Sequence, residues 1–185
     1  FGSFYHLIPT TLIKLECDMV IVGTHGKHGL KQNLFGANIL KLVKSLDIPS
    51  LVVQDDSVCD EKAFKNLLFP IAPHEHFEVK VRQVASLAKI FDSQVCIFAI
   101  QKDIRGFSEA NQKNLAKTKL YFDENGISYD EVKQDSTSYS VGYAKDILKY
   151  AGENNIGTIC VMSKVSKDNF YFGNIDKENI LINTA

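Results

Sequence analysis

The residues best placed to do chemistry are Gly23, Thr24, His25 and Gly26, followed by Gly36, Ala37 and Asn38. Their spacing, Gly23-x2-Gly26-x9-Gly36, suits a backbone that must turn sharply and come close to a ligand, because glycine has no Cβ. Gly36 stands where a helix should begin. A helix start offers unpaired N–H groups and a partial positive charge, which suits a phosphate. The pattern is neither the dinucleotide fingerprint nor a Walker A loop, since no Gly-Lys-Ser/Thr is present. The alternative is that these glycines only shape a tight strand-to-helix turn. His25 and His28 have metal-ligand spacing, and His74 and His76 add two more nitrogens, but no cysteine or carboxylate cluster completes a zinc set. No nucleophile–base set can be proposed from spacing and no G-x-S-x-G elbow exists. Any hydrolysis of a bound nucleotide should therefore be slow, for want of a base or an arginine finger.

The loop must be held by its flanks. Met19-Val20-Ile21-Val22 is a short apolar run ending at Gly23, the signature of a buried parallel strand. Leu40, Val43 and Leu46 recur at helical spacing, and Pro49 precedes a second apolar run, Leu51-Val52-Val53. The order is strand, glycine loop, helix, strand. Together, Asp-Met-Val-Ile-Val-Gly-Thr-His-Gly before the loop and Ile-Pro-Ser-Leu-Val-Val after it resemble the universal stress protein family, whose nucleotide loop reads G-x2-G-x9-G-[S/T]. The resemblance implies a parallel doubly wound α/β sheet of adenine nucleotide alpha hydrolase-like modules. It also implies ATP, with its associated magnesium, held at Gly23, Thr24, His25, Gly26, Gly36, Ala37 and Asn38, and a regulatory role in stress response rather than fast catalysis. Ala37 departs from the family pattern and removes one hydroxyl donor to phosphate.

Length and composition bound the rest. The chain has 185 residues, 45% hydrophobic and 23% charged, with a net charge of −1. This is ordinary globular composition. It gives no electrostatic case for nucleic acid or an anionic membrane as partner. No apolar run approaches the ~20 residues of a membrane helix. Four cysteines, Cys17, Cys59, Cys96 and Cys160, form no C-x-x-C pair, and Cys96 and Cys160 sit in apolar runs. A reduced, cytoplasmic protein is the simplest reading.

The chain repeats itself. Asp18–Gly23 resembles Thr158–Ser163, with Gly23 and Ser163 140 positions apart. Leu34-Phe35-Gly36 resembles Tyr171-Phe172-Gly173, with the glycines 137 apart. A long α/β segment precedes the second copy, and only residues 1–17 precede the first. The expectation is a first module, 1–56, that represents the back half of a universal-stress module, an acidic linker at 55–61, and a second, degenerate module at 62–185. In the second copy Ser163, Lys164, Val165, Ser166 and Lys167 replace the open loop, and Phe69-Pro70-Ile71-Ala72-Pro73 lacks the nucleotide-holding Asp of the family.

The expected elements are a helix near Phe4–Glu16 interrupted or begun at Pro9, and a strand from Asn66 that turns irregular at Pro70. A helix follows with Val79, Val84, Leu87, Ala88 and Phe91 inward, then a strand at Gln94–Ile100. A long helix at Ser108–Asn125 stops at Gly126. A strand at Ile127–Lys133, a helix at Val141–Asn154, a strand at Thr158–Met162 and a helix at Asp176–Asn183 complete the chain. Alternating strands and helices imply βαβ units, with ligands at the carboxyl ends of strands. The uncharged run Leu51–Val53 is an edge-strand liability, predicting a homodimer or tandem-module pairing through it.

Overall fold

The computed structural model describes residues 4–23, 39–54, 62–101, 108–135, 143–164, 177 and 179–181. It is a mixed α/β protein whose paired strands are all parallel. Its contacts divide it into two units, Phe1–Ser57 with Lys177–Thr184, and Val58–Asp176 with Ala185. The break falls within the acidic stretch 55–61. Residues 177–184, read from the sequence with the second module, cluster with the first unit.

In the first unit, α1 (Phe4–Lys14) runs through Pro9 rather than starting at it. The neighbouring Thr10 hydroxyl donates to the His6 carbonyl at 2.7 Å. Strand β1 (Val20–Gly23) pairs with β2 (Ser50–Val53) from Val20↔Ser50 to Gly23↔Val53. Helical residues 39–44, here α2, connect them. A period of 3.6 puts Ile39, Leu40, Leu42, Val43 and Leu46 inward, and all five are buried. Val52 and Leu181 pack on the cluster of Ile39, Leu40 and Val43. Ile21 is 68% exposed and Met19 37%, so the apolar run of β1 is not a fully buried strand.

The second unit is a four-stranded sheet in the order β5-β4-β3-β6. The strands are β3 (Asn66–Pro70), β4 (Gln94–Gln101), β5 (Tyr129–Asp135) and β6 (Thr158–Ile159). The helices are α3 (Phe77–Phe91), α4 (Glu109–Asn125) and α5 (Ala144–Glu153). The chain begins at β3, steps outward to β4 and β5, and returns to β6 on the other side. That return makes the β3–β6 boundary the topological switch point. Leu67, Phe69, Val95 and Ile97 meet Phe77, Val84 and Phe122 in one core.

Local chemistry explains the ends. Ser108 caps α4, its hydroxyl accepting from the Asn111 amide at 3.2 Å, and Gly126 closes it at φ +64. Two expectations shift. Strand β3 stays regular through Pro70. The Asn66 and Leu68 carbonyls accept from Gly157 and Cys160, so even-numbered residues of β3 face β6. Pro70, which has no N–H, therefore faces the side where β6 has already ended. The inward stripe of α3 is Phe77, Lys80, Val81, Val84, Ala85 and Ala88, with Phe91 40% exposed. A helix anchored by Phe77 turns Val79 and Leu87 to the margins, and the lysine inside that stripe hides it from a reading of apolar spacing.

Candidate functional site

Two strand ends are candidate sites, one in each unit. In the first unit β1 ends at Gly23. A Cβ built there meets nothing within 4 Å. Nor does its backbone call for glycine, since Gly126 alone among the described glycines has a positive φ. So Gly23 lies at the carboxyl end of a parallel strand, and no described residue packs where its Cβ would stand. The other proposed loop residues, Thr24, His25, Gly26, Gly36, Ala37 and Asn38, lie outside the described residues, as does His28.

In the second unit the equivalent place is occupied. Strand β3 ends at Pro70, Ile71 and Ala72 come next, and Val161 and Met162 follow β6. Lys80 reaches in from α3 and Tyr143 from the start of α5. The space left among them is about 10 Å³, no more than one water needs. Lys80 is 5% exposed. Its ammonium donates to the Pro70 carbonyl at 2.6 Å and lies 4.1 Å from the Phe69 ring centroid and 4.9 Å from that of Phe77. A charge-assisted hydrogen bond and two ring faces offset part of the cost of burying the charge.

His74, also buried, ties two loops at this end. Its Nδ1 accepts from the His76 amide at 3.1 Å, which leaves the proton on Nε2, 3.2 Å from the Lys164 carbonyl. The His74 and His76 rings lie 6.4 Å apart and tilted. Among the described residues no group of three His, Cys, Asp or Glu could hold a metal ion.

The Cys96 and Cys160 thiols are poor nucleophiles. Burial pushes Cys160 up to about 11, against a smaller opposing effect of Lys80. Burial also raises Cys96, whose Sγ lies 3.5 Å from the Tyr150 hydroxyl. Cys59 lies outside the described residues. No helix among the described residues is long and apolar enough to cross a membrane.

Sequence reasoning singled out Gly23 by its spacing and passed over Lys80 and Tyr143. Lys80 had one available signal, a single charge at the i+3 position of the Phe77-anchored stripe.

The fold defines the class, a parallel α/β protein with its candidate sites at the carboxyl ends of strands. The comparisons narrow it: residues 2–54 match the model of the Universal stress protein family, so this stretch is similar to that family. A universal stress protein from Archaeoglobus fulgidus DSM 4304 is similar in structure, with TM-score 0.62 and 16% identity over 96% of this chain and 61% of its own. A functionally unknown protein from Pseudomonas aeruginosa PAO1 gives TM-score 0.63 and 14% identity over 100% of this chain and 66% of its own. At such identities the likeness shows the fold, and the chain spans less than two thirds of those lengths. No curated protein matches the sequence.

Proposed function

We propose that the first unit is a nucleotide-responsive module acting in stress response in the cytoplasm, and that it binds the phosphates of ATP, with associated magnesium, rather than turning ATP over. The observation that carries this reading is Gly23, a glycine at a parallel strand's carboxyl end that neither its φ nor its packing requires. A residue type that costs conformational entropy without serving the fold is well used where a ligand must approach the backbone. The spacing of Gly26 and Gly36, with Thr24, His25, Ala37 and Asn38 between or beside them, supplies the rest of the cradle. The second unit takes no phosphate in this reading, because Lys80 already fills its switch point.

Calorimetric titration of the intact chain with ATP and magnesium tests this. Binding should occur at one site per chain and vanish in Gly26→Val, whose branched side chain blocks backbone approach. Unchanged affinity in a folded Gly26→Val variant sinks the assignment.

A second reading, a nucleotide-free partner-binding module, draws support from β2. Val52 packs on Ile39, Leu40 and Val43, and no charge stands between Ser50 and Gln54. In that reading Leu51–Val53 contributes to a homodimer or to pairing between modules, and no ATP heat is seen.

A further inference from the structure

Helices α3 and α4 pack on one core, yet a groove of about 140 Å³ stays between them. Spacing sorts its lining. Phe77 and Val81 stand one turn apart on α3 and are buried, forming the floor. Glu78 and Arg82, each one position further on, are exposed and stand at the rim. From α4 come Asn114, Lys117 and Tyr121, which share one face of that helix. The Asn114 side-chain amide donates to the Ala72 carbonyl at 2.9 Å, which holds that side of the groove in place.

The rim is electrically unfinished. Neither Arg82 nor Lys117 makes an ion pair or a side-chain hydrogen bond among the described residues. Glu78 stands 3.8 Å from the His76 Nδ1. Two positive charges and one negative leave the rim with one net positive charge, which suits a monoanion rather than a polyphosphate. A guanidinium fork meets a carboxylate with two parallel hydrogen bonds, and an ammonium adds a point charge. The volume sets the size of the rest, because an apolar cavity of about 150 Å³ takes up one benzene ring. Such a ring would displace water that finds few polar partners on Phe77 and Val81, and would lie against the Tyr121 ring.

We propose that this groove is a binding site for a small aromatic carboxylate, its ring on Phe77, Val81 and Tyr121 and its carboxylate on Arg82 and Lys117. The site belongs to the second unit and stands apart from ATP binding at Gly23.

The probe is benzoate, titrated into the intact 15N-labelled chain at low ionic strength and followed by amide shift mapping. Saturable perturbations should centre on Phe77–Arg82 and Asn114–Tyr121, with a Kd on the order of 1 mM. Benzamide keeps the ring and loses the charge, and acetate keeps the charge and loses the ring. Each should bind at least about tenfold more weakly than benzoate. Arg82→Gln and Lys117→Gln, both at exposed positions, should each weaken benzoate about fivefold. Amide protection across Gln94–Gln101 should stay unchanged in both variants, which reports an intact fold. No saturation by about 20 mM benzoate, perturbations centred elsewhere, an equal response to benzamide or acetate, or an affinity indifferent to both substitutions overturns the proposal.

Discussion

Gly23 and Gly157 make an instructive pair. Each glycine borders a strand that runs parallel in its own unit, β1 in one case and β6 in the other. At Gly157 the fold explains the residue fully, since an added Cβ would stand 2.3 Å from the Ala63 carbonyl oxygen. Its amide meanwhile donates to Asn66 at 3.1 Å to start the β3–β6 pairing. At Gly23 an added Cβ would meet no described residue within 4 Å. The same contrast separates the two strand ends. One has no described residue packed beside its glycine, and the other holds Lys80 on Pro70, Phe69 and Phe77. Among the described residues, one strand end has nothing packed beside its glycine and the other is satisfied internally.

The largest test of this difference lies in the cores. Phe69 is fully buried and meets the Phe77 and Phe122 rings edge-on at 5.5 and 5.7 Å. Phe69→Ala should cost the second unit about 3–5 kcal/mol, read by denaturant unfolding. It should leave amide exchange along α2 unchanged if the two units unfold separately.

Next comes pH. Burial, reinforced by the nearby Lys44 charge, pulls Lys177 down to about 8. A lysine depressed in the folded state binds fewer protons there than in the unfolded chain between that value and about 10.4. Stability of the first unit should therefore be flat below pH 8 and rise from pH 8 towards 10, by about 2–3 kcal/mol. Exchange rates at residues 39–46 and 50–54, corrected for intrinsic pH dependence, measure it. A fall over that window contradicts the burial of Lys177.

Gly157→Ala should destabilise the β3–β6 pairing by about 1–3 kcal/mol, because backbone must move to admit the methyl. Gly23→Ala should be within ~1 kcal/mol of the parent in thermal stability while weakening ATP. Equal losses of stability at the two positions would erase the comparison.

The smallest effect is expected at the edge strand β5. Glu131 lies 2.7 Å from Lys119 and 3.2 Å from Lys133, and these hydrogen bonds, Lys119 first, hold its carboxyl below the usual range. A depressed carboxyl stabilises above its unfolded pKa, and that contribution fades as pH falls through the folded value. Glu131→Gln should cost no more than about 1 kcal/mol at pH 7 and nothing in strong acid.

Much of this architecture was legible in the residues. Alternating apolar runs and helical spacings gave the parallel α/β class, and Ser108 and Gly126 marked both ends of α4. What escaped was set by neighbours. Pro70 is compatible with a regular strand only because β6 ends before reaching it. Lys80 sits in a core stripe because a carbonyl and two rings receive its ammonium. The return of 177–184 to the first unit depends on which apolar face is available, a property of the assembled fold and of no local pattern. Of the candidate site, the spacing singled out Gly23, but spacing could not say that no described residue packs against it.

The central claim is that the two strand ends differ in being open and filled. Amide shift mapping of the intact 15N-labelled chain during titration with ATP and magnesium tests it most directly. The account predicts perturbations centred on Gly23 and the residues through Asn38, with His74, Lys80 and Tyr143 unmoved. Perturbations centred on His74, Lys80 and Tyr143 would contradict it, as would none anywhere at saturating ATP.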